Sequence, residues 1–320
     1  MKIVISGGTG QVGTILAKAF HADGHEVVVL GRKPSPAVWQ TGIWDGRTLG
    51  EWSREIDGAD VVVNLAGRSV NCRYNPTNRK EIMKSRTDSV KVIGEAVAQA
   101  SRPPSLWLQM STATIYAHRY DAPNDEFTGI IGGNEPDAPD TWRFSIDVAK
   151  SWERALDEVE TPHTRQVKMR AAVVLSPDAG GIFDVLLGLV RKGLGGTNGD
   201  GRQYVSWIHG EDFVRAVYWL IEHENIAGVV NLAAPNPLPN RDFMRALRTT
   251  YGMPVGLPAT KLMLEIGAVF LRTETELLLK SRRVTSKILP DNGFHFNFST
   301  WPEAAADLCR KWRDLRRKAA

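Results

Sequence analysis

The sequence predicts an α/β protein: a Rossmann-type, doubly wound parallel sheet followed by a smaller, mixed C-terminal substrate lobe. Three observations carry this expectation. The chain opens with an apolar run, K-I-V-I, which passes through S-G-G-T-G-Q-V-G into an apolar-periodic segment. Valine-rich runs then alternate with helical patterns as far as residue 175, as in parallel strands covered on both faces. Beyond residue 175 the character changes to short strand-like runs, a glycine-rich stretch and proline-rich turns. The expected division is a dinucleotide-binding domain over 1–175 and a substrate or lid lobe over 176–320, with sheet elements free to interleave.

The opening run predicts a strand over 2–6 and a helix over 11–23. Between them Gly7, Gly10 and Gly13 form a G-x-x-G-x-x-G pattern. Such spacing suits a tight turn, a close approach of backbone to pyrophosphate, and close packing of helix on strand. The helix N-terminus adds free N–H groups and a positive dipole end. A plain strand-to-helix turn is the alternative, and the flanking strand and helix favour the dinucleotide site. Gly7, Thr9, Gly10, Gln11, Val12 and Gly13 are therefore the expected cofactor contacts.

Strand two is expected over 26–30, ended by Gly31-Arg32-Lys33-Pro34. A proline- and tryptophan-bearing segment through Trp39 and Trp44 follows, then a short helix over 48–55. The run D-V-V-V-N-L predicts a buried strand over 60–65. It closes on Ala66 and Gly67, which places Leu65, Ala66 and Gly67 beside the cofactor. A helix over 77–101 stops at Arg102-Pro103-Pro104, and a strand over 106–110 runs into S-T-A-T-I-Y. The loop over 117–140 is long for a connector and is expected to be functional. Helix then returns over 141–159 and strand over 166–175.

In the second part, helices are expected over 180–192, 211–223, 258–280 and 301–318, with another beginning at Arg241. Strands are expected over 204–208 and 229–232, and a proline-rich turn over 234–240. Residues 193–203 hold five glycines and read as a mobile lid.

With 320 residues, 42% hydrophobic and 24% charged, the chain reads as globular. No apolar run is long enough for a membrane span, and no basic-then-apolar leader opens the sequence, so a cytoplasmic location is expected. Cys72 and Cys309 lack metal-ligand spacing and predict no disulfide framework. The net charge of +4 owes much to Arg310, Lys311, Arg313, Arg316, Arg317 and Lys318. We read these as the solvated face of a final helix whose buried stripe is Trp301, Leu308, Trp312 and Leu315. The expected partner is a small-molecule substrate, a nucleotide-linked one included, rather than nucleic acid or membrane. Monomer and homodimer are both compatible with the sequence.

The end of strand two distinguishes the two adenine dinucleotides. A carboxylate there takes the ribose hydroxyls of NAD, whereas an arginine accommodates the 2′-phosphate of NADP. Arg32 occupies this point, with no acid before Asp45, so NADP is the expected cofactor.

G-G-T-G-Q-V-G, N-L-A-G at 64–67 and S-T-A-T-I-Y at 111–116 resemble the extended short-chain dehydrogenase/reductases, which include sugar-nucleotide epimerases and dehydratases. The resemblance is closer to an atypical branch, epimerase-family proteins with a C-terminal domain of unknown function. Its marks are S-R-T at 85–87, W-E at 152–153, G-L-G-G-x-x-G-D-G-R-Q at 193–203, S-W-I-H-G-E-D at 206–212 and N-x-A-A-P-N-P at 231–237. S-R-R-V at 281–284 and L-P-D-N-G-F-H-F at 289–296 extend it through the tail. The resemblance implies a Rossmann fold and NADP binding, and leaves the substrate open.

Active members of the wider family need a serine or threonine and then Tyr-x-x-x-Lys on a helix. Thr112 stands at the hydroxyl position and Lys150 at the lysine position, but the tyrosine position is Ile146. Lys150 is expected to bind the nicotinamide ribose, or else to form a surface pair with Asp147. Tyr116, four residues past Thr112, is the expected substitute acid, with packing at a strand end as its alternative. Trp207 and His209, with Ser206 and Asp212, follow the glycine loop and are expected to face a substrate. Arg86 and Arg73 are candidates for an anionic ligand, and Trp142 and Trp152 for a pocket wall. Two functions fit: an NADP-dependent oxidoreductase or epimerase-like enzyme, or a non-catalytic NADP(H)-binding protein that senses redox state.

Overall fold

A computed structural model describes residues 1–34, 36–136, 138–260, 263, 265 and 274–319. The helix expected over 258–280 lies largely outside the described residues. The main sheet has seven parallel strands. They are β1 (Lys2–Ser6), β2 (Glu26–Gly31), β3 (Gln40–Ile43), β4 (Val61–Asn64), β5 (Leu106–Thr112), β6 (Arg165–Ala171) and, later in the chain, β10 (Gly228–Leu232). Their order across the sheet is β3-β2-β1-β4-β5-β6-β10. The direction of winding reverses between β1 and β4, and ligands bind at such a switch point in open parallel sheets.

Alternation along the strands builds two cores. Ile3, Ile5, Val29 and Val63 face one side, against α1 (Gln11–Ala22) and α5 (Gly210–Glu222). Val4, Val28, Val62 and Trp107 face the other, against α2 (Pro76–Gln99) and α3 (Asp140–Asp157). Asn75 starts α2, its side chain accepting the Asn78 N–H, and Pro76 takes the first helical turn, where a missing N–H costs nothing.

Two expectations change here. The segment through Trp39 and Trp44 holds a strand that the sequence did not predict: Gln40–Ile43 adds β3 at the sheet edge beside β2. Its exposed, mixed residues carry no strand periodicity. The run over 166–175 breaks at Ala172, whose N–H donates to Leu232 O. Residues Val173–Leu175 then form β7, which leaves the sheet and, past the short β8 (Tyr204–Val205), pairs with β9 (Trp207–His209).

A third core, around Phe183, Trp207, Phe243, Trp301, Leu308 and Trp312, joins α4 (Ile182–Arg191), α6 (Asn240–Tyr251) and, past the short α7 (Glu276–Leu279) and α8 (Ile288–Asp291), the last helix, α9 (Trp301–Ala319). Phe243 stacks on Trp301 at 4.0 Å. Leu315 is not part of the α9 stripe; it is 45% exposed. The basic residues of α9 are largely engaged: Arg310 with Asp307, Lys311 with Glu211 and Asp307, Arg316 with Asp184. Among the described residues no helix is long and apolar enough to cross a membrane, and both cysteines are free thiols.

Under the carboxyl end of the sheet lies a buried polar network. Arg170 donates to both Glu153 oxygens, at 2.8 and 2.7 Å, and Ser111 Oγ donates to Glu153 at 2.5 Å. Burial works against the Arg170 charge, but the hydrogen bonds and charge of Glu153 outweigh it and hold the guanidinium above its ordinary range. Removing the carboxylate leaves that cation unpaired. Glu153→Ala is therefore expected to cost about 3–5 kcal/mol of unfolding free energy, measurable by urea denaturation.

Candidate dinucleotide and substrate site

The glycine turn after β1 is shaped by backbone contact. Gly7 has φ +70°, and a Cβ on it would stand 2.9 Å from the backbone of Leu65 and Ala66. A Cβ on Gly13 would fall 2.3 Å from Gly8 Cα, so helix and turn meet where only glycine fits. Gly10 is different: its Cβ would meet only Gly7 O, at 3.5 Å. The fold does not fill the space beside Gly10, and that space adjoins the α1 N-terminus. No side chain caps this helix and no acid occupies its first turn. Its free N–H groups are open to an anion.

A cavity of about 960 Å³ begins there. Gly7, Thr9 and Gly10 line one side, Leu65, Ala66 and Gly67 another, and Arg32 stands at the end of β2. The volume lies in the range of ligand pockets, roughly 300–1,000 Å³. Arg32 makes no ion pair or side-chain hydrogen bond to the described residues. The nearby acid, Asp45, is occupied: it accepts the Arg47 and Thr48 N–H groups and the Thr48 hydroxyl at 2.8–2.9 Å. The Thr48 backbone bond leads the effects that hold its carboxyl below the usual range. Gln11 turns its side chain to Ser176 (2.8 Å) and Val12 packs toward the core, so neither side chain lines the cavity.

A second cavity, about 120 Å³, lies beyond Gly67. Thr112, Arg86, Trp152 and Tyr74 line it together with Glu276 from the C-terminal segment. Thr112 Oγ1 accepts the Thr114 N–H at 3.2 Å, so its own proton remains available. The segment over 274–287 is laid across this end of the site. Arg282 donates to Thr114 Oγ1 (2.9 Å) and to Glu276 (2.5 Å), and Lys280 donates to Thr114 O (2.6 Å). Lys280 is buried, and burial, then the Arg282 charge, pull its ammonium down to about 7. This segment of the site was not foreseen from sequence; S-R-R-V marked it only as a tail motif.

Residues 3–139 match the NAD dependent epimerase/dehydratase family, and residues 259–308 match the domain of unknown function DUF1731. Epimerase family protein SDR39U1 of Bos taurus is 32% identical over 96% of this chain and 98% of its own length. The chain belongs to the epimerase family of extended short-chain dehydrogenase/reductases. The crystal structure of human epimerase family protein SDR39U1 (isoform 2) with NADPH is 29% identical, with a TM-score of 0.84 over 97% of this chain and 99% of that one. The nucleoside-diphosphate sugar epimerase from Corynebacterium glutamicum is 26% identical, with a TM-score of 0.73 over 99% of this chain and 61% of that one.

In this epimerase-family chain the helix position of the usual tyrosine is closed. Ile146 is fully buried, and Gly132 and Gly133 cover it; a Cβ on Gly132 would stand 2.9 Å from Ile146 Cδ1. Lys150 Nζ reaches the same loop, 3.2 Å from where a Gly133 Cβ would be. It forms no ion pair with Asp147 and lines neither cavity. Tyr116 is not the substitute acid. Its hydroxyl donates to Asn231 Oδ1 (2.9 Å) and accepts from Arg170 (3.0 Å), inside the buried network, and burial raises its pKa.

Trp207 and His209 also face away from the site. Trp207 is fully buried, its indole N–H donating to Asn236 O at 3.3 Å. His209 caps α5, with Nδ1 accepting the Glu211 N–H, and stacks on Phe298 at 3.9 Å. Ser206 and Asp212 are anchors: Ser206 bonds residues 282 and 284, and Asp212 accepts the Asn297 and Phe298 N–H groups. The glycine loop over 193–203 is tied down, not a free lid. Gly196 and Gly199 donate to Leu257 and Ala259, and Arg248 donates to Gly195 O at 2.7 Å.

Two outcomes follow from these positions. Ile146→Tyr is expected to lower the melting temperature without installing turnover, because the phenol would displace the loop over 132–133; thermal melts and NADPH-oxidation assays check this. For Lys280, the folded pKa lies near 7 against about 10.4 unfolded. Between these values the unfolded chain binds a proton that the folded one does not, so stability rises with pH across that window. Lys280→Met is expected to flatten this rise, seen in denaturant melts at a series of pH values.

Proposed function

We propose that the chain binds NADP(H) and acts as an NADP-dependent oxidoreductase on a small-molecule substrate. The observation that carries this reading is the cavity at the sheet's switch point, with an uncapped helix end, ligand-sized space at Gly10, and Arg32 facing no acid but the engaged Asp45. The NADPH bound by the human relative supports it.

The residues present fit the dinucleotide. The α1 N–H groups suit its pyrophosphate, and the Arg32 fork suits a 2′-phosphate. When bound, the reduced nicotinamide supplies a hydride. Thr112, at the end of β5, can donate its free hydroxyl proton to a carbonyl oxygen and so orient it. Lys150, on α3, forms no ion pair with a described acid and lines neither cavity, so no contact with the dinucleotide is assigned to it. Buried Ile146 favours a second reading, in which the protein binds NADP(H) without turnover and reports redox state to a partner.

Calorimetric titration separates the cofactors. NADPH is expected to bind at least tenfold more tightly than NADH, and Arg32→Ala to lose most of that preference while leaving NADH affinity unchanged. Equal affinities for the two cofactors would remove the basis for NADP.

A further inference from the structure

The small cavity departs from what a sugar-nucleotide enzyme needs. Its volume of about 120 Å³ is close to that of a cavity of roughly 150 Å³ that takes a benzene-sized molecule. A molecule of a few non-hydrogen atoms fits inside it, whereas a nucleoside diphosphate sugar would have to extend out of it. Gly67, in the wall of the dinucleotide cavity, packs against Arg86 in the wall of this one: an added Cβ there would stand 3.0 Å from the Arg86 guanidinium carbon.

The charges in its wall are unbalanced. Glu276 is matched by Arg282 at 2.5 Å. Arg86 has no carboxylate partner among the described residues. Its Nη1 donates to the carbonyls of Arg68 (3.1 Å) and Ile82 (3.0 Å), and its guanidinium lies 4.9 Å from the Trp152 ring. Nε and Nη2 make no hydrogen bond to the described residues. Burial without a counter-charge pulls this guanidinium down to about 10. A buried cation with two donors to spare is a site for a small anion.

The same wall holds a phenol. Tyr74 is 7% exposed, and its hydroxyl is 3.5 Å from Ser145 Oγ, which is 3.3 Å from Glu276 Oε2. Burial pushes its pKa up to about 12, so it carries its proton at neutral pH. Thr112 and Thr114 line the same space.

We propose that this cavity binds a short carbonyl compound bearing one carboxylate, a 2-oxo acid or aldehyde acid, with Arg86 on the carboxylate and Tyr74 as the acid at the carbonyl oxygen. The proposal rests on the NADP-linked reading above. In the reduction, the carbonyl carbon gains a C–H bond from hydride delivered by NADPH, which is oxidised to NADP⁺. The C=O π pair moves onto oxygen, which takes the Tyr74 proton to complete the hydroxyl. The Tyr74 phenolate regains a proton from water by way of Ser145.

The test uses the full chain loaded with NADPH, with oxalate as the binding probe and glyoxylate as the substrate. Wild type is expected to bind oxalate by calorimetry and to oxidise NADPH with glyoxylate, and not to bind UDP-glucose. Arg86→Met is expected to weaken oxalate at least tenfold with NADPH affinity unchanged, and Arg86→Lys to recover part of the loss. Tyr74→Phe is expected to keep oxalate affinity within about twofold and to lower glyoxylate turnover a hundredfold or more, the scale of general acid catalysis. Thermal melts confirm that each variant is folded. Oxalate binding that survives in Arg86→Met, UDP-glucose that competes with oxalate, or full turnover in Tyr74→Phe overturns the proposal. A loss of NADPH rather than oxalate in Arg86→Met assigns the arginine to the dinucleotide and also overturns it. NADPH binding without oxalate binding sinks this proposal alone, while Arg86-dependent oxalate binding without NADPH binding sinks the cofactor reading alone.

Discussion

The Arg282 guanidinium holds together the parts of the chain that form the site. It reaches Thr114 on the turn after β5 and Glu276 on the C-terminal segment, at 2.9 and 2.5 Å. The carbonyls of Glu276 and Lys280 take its remaining amino group at 3.4 and 3.3 Å. A buried ion pair seldom adds much net stability, because desolvation offsets the attraction. What it does fix is geometry, since either partner alone would be a stranded charge. The pairing therefore holds the segment over 274–287 against Thr114, and with it the wall of the small cavity. The same cation helps to push the proton off Lys280.

The motifs that distinguish this branch of the family largely serve that docking. Ser206 holds residues 282 and 284, Ser281 bonds His118 and Arg119, and Asn124 exchanges backbone hydrogen bonds with 283 and 285. Residues more than seventy positions apart meet here, and no periodicity in the sequence announces such a meeting. For the same reason His209 and Trp207 looked like site residues while serving as a helix cap and a core indole. The glycine turn was legible because its meaning is local: strand, turn and helix follow one another within thirteen residues. The break at Ala172 was not, because it depends on the late strand β10 supplying Leu232 O. Nor was β3, whose place is set by pairing with β2 and not by its own residues.

The missing tyrosine was plain in the sequence, but its consequence was not. Loss of the phenol at position 146 reads as loss of chemistry as long as α3 is taken to face an open site. In the structure a glycine-bearing loop closes that face of the helix, and buried Ile146 packs beneath it. A phenol there would have to displace that loop. Any phenol that acts in this chain must come from another element.

Tyr74 meets that condition, and its placement ties the site to the C-terminal domain. Its backbone N–H donates to Glu274 at 2.7 Å, and its hydroxyl reaches Glu276 through Ser145. Both carboxylates belong to the segment that Arg282 and Ser206 hold in place. The phenol is thus oriented from the far end of the chain, at its backbone and at its hydroxyl. Without this segment, Tyr74 would keep its edge contact with Phe144, at 5.0 Å between ring centroids, its packing on Ile82 and Val148, and the long 3.5 Å contact with Ser145. An aromatic contact of that kind is worth about 0.5–1.5 kcal/mol and does not fix the direction of a hydroxyl. The physical role of the C-terminal domain follows: it closes the small cavity and sets the orientation of the phenol of Tyr74 in its wall.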